Sequence, residues 1–136
     1  MLENNKILLA TSNTGKLKEF RKMFSNFEIK SQGDLGIDEP IEDGLTFLEN
    51  ALIKARHGAD KSGMFSVADD SGIVVPGLNF APGIYSARYA GESASDLDNR
   101  NKIIEELNKL NVKSLPAYYV CVLVGVRSAD DPIPIF

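Results

Sequence analysis

Strands alternate with helices along this sequence, which is the pattern of an α/β domain. Three observations give that reading. Apolar runs rich in β-formers sit at Lys6–Thr11, Phe65–Val75 and Pro116–Val126. Apolar residues recur at helical spacing over Leu17–Phe27, Thr46–Ser62 and Ser95–Leu110. No repeat, low-complexity tract or flexible linker interrupts the 136 residues, so they read as one domain with a real core.

Composition narrows the function classes. The chain is 43% hydrophobic and 25% charged, as soluble globular proteins are. A net charge of −4 argues against a broad basic surface for nucleic acid. It leaves room for a small phosphate site. A single cysteine, Cys121, excludes an internal disulfide and agrees with a reducing cytosol. Flanked by Val120, Val122 and Leu123, it reads as a buried structural thiol rather than a nucleophile. No segment has the layout of a signal peptide, and no apolar run reaches the length of a membrane helix.

The first strand leads through Ser12-Asn13-Thr14-Gly15-Lys16 into a helix that carries Leu17, Phe20, Met23, Phe24 and Phe27. Strand, small polar loop and helix offer amide N–H groups at a helix N-terminus, where phosphate binds. Lys16 adds charge, and Ser12, Asn13 and Thr14 add side-chain donors. The loop is not a Walker motif, because Leu17 follows Lys16 and no glycine precedes Gly15 nearby. The bland reading is that Ser12 or Asn13 only caps the helix.

Glu28–Ser31 reads as a short strand, and Gly33–Gly44 as a loop that carries Glu42. Thr46 and Glu49 fit a capping box, and the helix behind them carries Phe47, Leu48, Ala51, Leu52, Ala55 and Ala59 on one face. His57 has no histidine or cysteine at ligand spacing and reads as a surface residue. Gly63 closes the helix.

In Phe65–Leu78 two adjacent acids, Asp69 and Asp70, interrupt an apolar run and are followed by Ser71-Gly72. That predicts two strands, or one strand broken by a turn. Buried carboxylates need compensation, which a divalent metal or a substrate cleft supplies. Pro76-Gly77 turns the chain, and residues 81–91 are loop-like, with Tyr85, Arg88 and Tyr89. Arg88 meets either a phosphate or a neighbouring acid. Ser95-Asp96 caps the third helix, and Pro116–Val126 reads as a long buried strand. Ile133–Phe136 starts a return strand that stops after four residues, so the sequence reads as cut short at its C-terminal end, or as covered there by a partner.

The loop with Lys16, the acids Glu42, Asp69 and Asp70, and the Tyr85–Tyr89 loop together describe a metal-dependent hydrolase of a nucleoside polyphosphate. Hard carboxylate oxygens hold Mg²⁺, which bridges phosphates, and a nearby carboxylate deprotonates a water. Adjacent acids repel, so activity is expected to rise toward alkaline pH.

At these residues the chain resembles the Ham-type nucleoside triphosphate pyrophosphatases, the inosine/xanthosine triphosphatases that clear deaminated purine nucleotides. The matching segments are Thr11–Lys16, Gly44–Ala51 with Lys54-Ala55-Arg56, Ala68–Gly72 and Ala81–Tyr89. The resemblance implies a long twisted mixed β-sheet flanked by helices, two lobes and a central cleft. It implies Mg²⁺-dependent hydrolysis of ITP, dITP or XTP to the monophosphate and pyrophosphate. Carried over by motif, Thr11, Ser12, Asn13 and Lys16 hold the triphosphate, with Thr14 and Gly15 in the same loop. Asp70 is general base and metal ligand, with Asp69 beside it. Glu42 is a further metal ligand, and Ser71 touches the nucleotide. A cytoplasmic homodimer with no nucleic-acid or membrane partner is also implied. The family's later Gly-Phe-Gly-Tyr-Asp and Ser-His-Arg segments, linked to base recognition, do not occur in these residues. Two other readings stand beside this one. One is a non-catalytic paralogue that binds nucleotide or a partner. The other is a retroviral-type aspartic protease, from Asp70-Ser71-Gly72.

Overall fold

A computed structural model describes residues 5–136. Its elements run β1 (Lys6–Leu9), α1 (Thr14–Met23), β2 (Glu28–Ser31), α2 (Phe47–Ser62), β3 (Phe65–Val74), α3 (Asp96–Lys109) and β4 (Tyr118–Val126). The strands form one sheet in the order β2-β1-β3-β4. β1 runs parallel to both neighbours, with Ile7 opposite Ile29 on one side and Phe65 on the other. The mixture of helices and sheet agrees with the α/β reading, and the three helices exclude the small all-β fold of a retroviral-type protease.

The chain divides into two compact units. One runs up to Asp70 and includes Val122–Phe136. Its core follows from the two-residue period of a strand, which sends alternate side chains to opposite faces. Ile7 and Leu9 of β1 lie with Phe20 of α1 and Ile29 of β2, and Leu17, Phe27, Phe65 and Val67 pack against them. Ala10 and Ala68 take the opposite face, with Ala51, Ala55 and Ala59 of α2 and Val124 and Val126 of β4. Leu8 and Leu9 are fully buried, and burying each such side chain contributes roughly 1.5–3 kcal/mol. The small residues of α2 let its backbone approach the sheet. A Cβ on Gly58 would stand 2.7 Å from Leu8 Cδ2 and 2.6 Å from Ser66 Oγ.

Helix ends follow their sequence signals. Asn13 caps α1 by accepting from the Lys16 amide at 3.0 Å. Thr46 caps α2 by accepting from the Glu49 amide at 3.1 Å, but the Glu49 carboxylate returns to the Leu45 amide, one residue before the cap. Gly63 ends the helix at φ 67°, a conformation that glycine adopts without Cβ strain. α1 stops at Met23, earlier than its apolar repeat suggested, and Phe24 stacks back on Phe20.

Four expectations are corrected here. Phe65–Val74 is one continuous strand and contains no turn. β4 begins at Tyr118, is the edge strand and is buried only over Val124–Val126, the end whose valines join the core cluster of α2. Cys121 therefore lies exposed on β4, not in the core. Leu48, placed on the core face by periodicity, is largely exposed, while Asn50 and Gly58 are buried instead.

The second unit is Ser71–Cys121. It holds short 3₁₀ turns at Pro76–Leu78 and Gly83–Arg88, and α3. Ser95 and Asp98 form a reciprocal capping box, and a cap of this kind is worth about 1 kcal/mol. Buried Asn99 ties the preceding loop to α3, accepting from Ala90 N and donating to Ala87 O. Arg88 stands over the Tyr85 ring and 3.9 Å from Glu92, so its partner within this unit is an acid.

At the C-terminal end, Ile135 exchanges two backbone hydrogen bonds with Gly125 and forms a single bridge, not a strand. The turn before it is built on Asp131, which is 3% exposed. Its carboxylate accepts from the amides of Arg127 and Ile133, each at 2.9 Å, and from the Arg127 guanidinium. These amides, more than the guanidinium, hold the Asp131 carboxyl below the usual aspartate range. A depressed folded value means that the stabilisation is complete above the ordinary aspartate pKa of about 4 and fades as pH falls through the folded value. Asp131→Asn is expected to lower the melting temperature at pH 7 and to flatten its decline between about pH 5 and pH 2. Parallel melting-temperature profiles for the two chains would show that Asp131 does not set this acid limb.

Candidate active site

β3 carries two acids inside the fold. Asp69 is 4% and Asp70 8% exposed. As neighbours in a strand they point to opposite faces of the sheet, and each meets a lysine from the helix on its own side. Lys16 Nζ of α1 donates to Asp69 Oδ2 at 2.5 Å. Lys54 Nζ of α2 lies 3.6 Å from Asp70 Oδ1. These two ion pairs compensate the buried charges and let the strand run through them without a turn.

Lys54 also lies 3.5 Å from Glu42 Oε2, so one ammonium sits between two carboxylates from different elements. Asp69, held by Lys16 on the other face, does not join them. Among the described residues no three His, Cys, Asp or Glu side chains gather closely enough to hold an ion by themselves. Glu42, Asp69 and Asp70 thus do not form the single cluster that the sequence suggested. Glu42 and Asp70 do share a cation position. A pair of hard carboxylates of this kind could hold a divalent cation with the rest of its shell filled by water.

Glu42 is held in place by α2. The segment from Asp38 to Gly44 is fastened at both ends: His57 Nε2 meets the Asp38 carbonyl oxygen at 2.9 Å, and the Gly44 amide donates to Asn50 Oδ1 at 2.9 Å. Asn50, Lys54 and His57 stand at i, i+4 and i+7, on one stripe of the helix. His57 is therefore an anchor for this loop and not merely a surface residue. A Cβ on Gly44 would come within 2.6 Å of Asn50 Oδ1, which explains why glycine stands there.

Thr11 and Ser12 line a polar cavity of about 220 Å³ with Gln32, Glu39, Pro40, Glu42 and Lys54. The rest of the loop is committed to its own shape. Thr11 Oγ1 accepts from the Asn13 amide, Asn13 Oδ1 from the Lys16 amide, and the Asn13 carbonyl from the Leu17 amide. Thr14 and Gly15 open α1 and are exposed, and Asn13 is occupied as the cap. Ser71 follows Asp70 in β3 and is half-buried. The structure thus groups Thr11, Ser12, Glu42, Lys54 and Asp70, and pairs Lys16, which follows the same loop, with Asp69.

The sequence reading omitted Lys54, Glu39, Gln32, Asn50 and His57 as site residues. The signal for three of them was present: polar residues at i, i+4 and i+7 beside the alanine stripe of α2. Nothing in the local sequence marks Glu39 or Gln32.

A family model described as the Ham1 family matches residues 7–136. A dITP/XTP pyrophosphatase of Halorhodospira halophila is 52% identical over 132 residues, which cover 96% of this chain and 66% of that protein. One from Haemophilus influenzae is 51% identical over 96% of this chain and 68% of its own length. The chain therefore spans about two thirds of the length of these relatives. A HAM1 protein structure from Coxiella burnetii superposes with a TM-score of 0.87 at 39% identity, covering 99% of this chain and 68% of that one. The chain belongs to the Ham1 family.

Proposed function

We propose that this chain acts as a nucleoside triphosphate pyrophosphatase on deaminated purine nucleotides such as dITP, XTP and ITP, releasing the monophosphate and pyrophosphate. One observation carries the reading: Asp70 and Glu42 share the Lys54 ammonium beside a polar cavity lined by the hydroxyls of Thr11 and Ser12. The substrate class is that in the names of its relatives.

Each residue then has a task. Asp70 takes a proton from the water that attacks the α-phosphorus, as the bond from that phosphorus to the bridging oxygen breaks and pyrophosphate leaves. Thr11 and Ser12 hold phosphate oxygens, and the Asn13–Gly15 turn sets the loop that presents them. Lys16, steadied by Asp69, offsets charge on the phosphate chain. Lys54 keeps Glu42 and Asp70 aligned, and Ser71 contacts the nucleotide. Glu42 and Asp70 would hold a divalent cation, Mg²⁺ being our choice, which when bound neutralises charge on the phosphates. A cytoplasmic homodimer goes with this reading. Among the described residues no helix is long and apolar enough to cross a membrane.

The direct test is pyrophosphate release from dITP and, separately, dATP by the 136-residue chain with Mg²⁺. Release from dITP well above dATP is expected. No release from either would favour a chain that binds nucleotide without turning it over. Asp70→Asn is expected to lower kcat by roughly 10²–10⁴-fold with nucleotide binding largely kept, and a near-normal rate would remove Asp70 from the base role. Lys16→Ala is expected to weaken triphosphate binding by about tenfold or more and monophosphate binding much less. Equal losses for both ligands would show that Lys16 does not face the phosphate chain.

A further inference from the structure

The cavity beside Lys54 contains an acid that the proposed reaction does not use. Glu39 Oε1 accepts from Ser12 Oγ at 2.5 Å and from the amide of buried Gln32 at 3.4 Å. A serine hydroxyl has one proton. With Glu39 in place, that proton is already committed when a phosphate arrives. A phosphate oxygen that takes it over must also settle within a hydroxyl's reach of a carboxylate. Like charges at that distance repel unless a cation lies between them. Glu42 lines the same cavity and adds a second negative charge, and Lys54 is the cation among the lining residues.

We infer that Glu39 makes phosphate binding at Ser12 conditional on a divalent cation, so that a metal-free polyphosphate is rejected and its metal complex accepted. The inference rests on the pyrophosphatase reading and extends it. Glu39 acts here on the specificity of binding. It is not a base, and it is not placed as a ligand of the ion. Its position before Pro40, in the segment fastened by His57 and Asn50, keeps the carboxylate among the residues that line the cavity. The pairing is reciprocal: whatever factor the cation contributes to polyphosphate affinity, the polyphosphate must contribute to cation affinity.

The test is calorimetric titration of inorganic tripolyphosphate into the whole chain, with Mg²⁺ and with a chelator. The original chain is expected to bind much more tightly with Mg²⁺. In Glu39→Gln the ratio of the two affinities should shrink by about tenfold, chiefly because metal-free binding tightens. Glu39→Asp, which keeps the charge, should retain most of the ratio and checks that the loop itself is intact. An unchanged ratio in Glu39→Gln overturns the inference and leaves the pyrophosphatase reading standing. So does weaker Mg²⁺ binding with metal-free tripolyphosphate affinity unchanged, since Glu39 would then be a ligand. Absence of tripolyphosphate binding by the original chain in both conditions would also overturn this inference, whereas the pyrophosphatase reading falls only if pyrophosphate release from dITP is absent.

Discussion

Two carboxylates inside a continuous strand are the constraint on which this structure turns. Asp69 and Asp70 are both nearly buried in β3. A buried carboxylate without a partner is so unfavourable that the chain would protonate it or turn it out to solvent. The strand divides the problem between its two faces. Lys16 answers on the side of α1, and Lys54 on the side of α2. Removing one partner of such a pair is far more damaging than never having made it. The positions of the two helices against the sheet are thereby tied to the chemistry, and packing and site are one arrangement.

The second requirement is a loop with a fixed shape. Glu42 comes from a segment with no regular structure, and such a segment does not hold a carboxylate in register by itself. α2 supplies the rigidity through its polar stripe. Asn50 holds one end of the segment, His57 the other, and Lys54 reaches Glu42 between them. The same helix gives its neighbouring alanine face to the core. Its two stripes do different work, and a single rigid body connects the hydrophobic core to the acid pair.

Much of this was legible in the sequence, and the failures share a cause. Six of the regular elements, the caps at Asn13, Thr46 and Ser95, and the glycine stop at Gly63 are local signals, and each was read within a few residues, whereas β3 was not read as one strand. The family resemblance was read correctly. What misled were non-local effects. Asp69 and Asp70 looked like a turn because no local residue compensates them; Lys16 and Lys54 arrive from elsewhere in the chain. They also looked like a pair acting on one ion, because adjacency in sequence hides the alternation of a strand. Cys121 looked buried because its neighbours are apolar, yet an edge strand leaves such a face open. His57 looked idle because the search was for metal ligands, and its partner is a backbone carbonyl.

The charges around the cavity show what kind of ligand this arrangement can accept. Thr11 and Ser12 bring hydroxyls suited to phosphate, yet Glu39 and Glu42 line the same space with Lys54 as the cation beside them. A site designed for a bare anion would carry the opposite balance, since every carboxylate at the wall subtracts from its affinity. The acids make physical sense if the anion arrives with positive charge of its own. Lys16 is itself balanced by Asp69. On the proposed reading, the modest net charge of −4 and the acid-lined cavity are two aspects of one solution. On that reading the protein supplies orientation and hard oxygens, and the neutralising charge travels with the substrate.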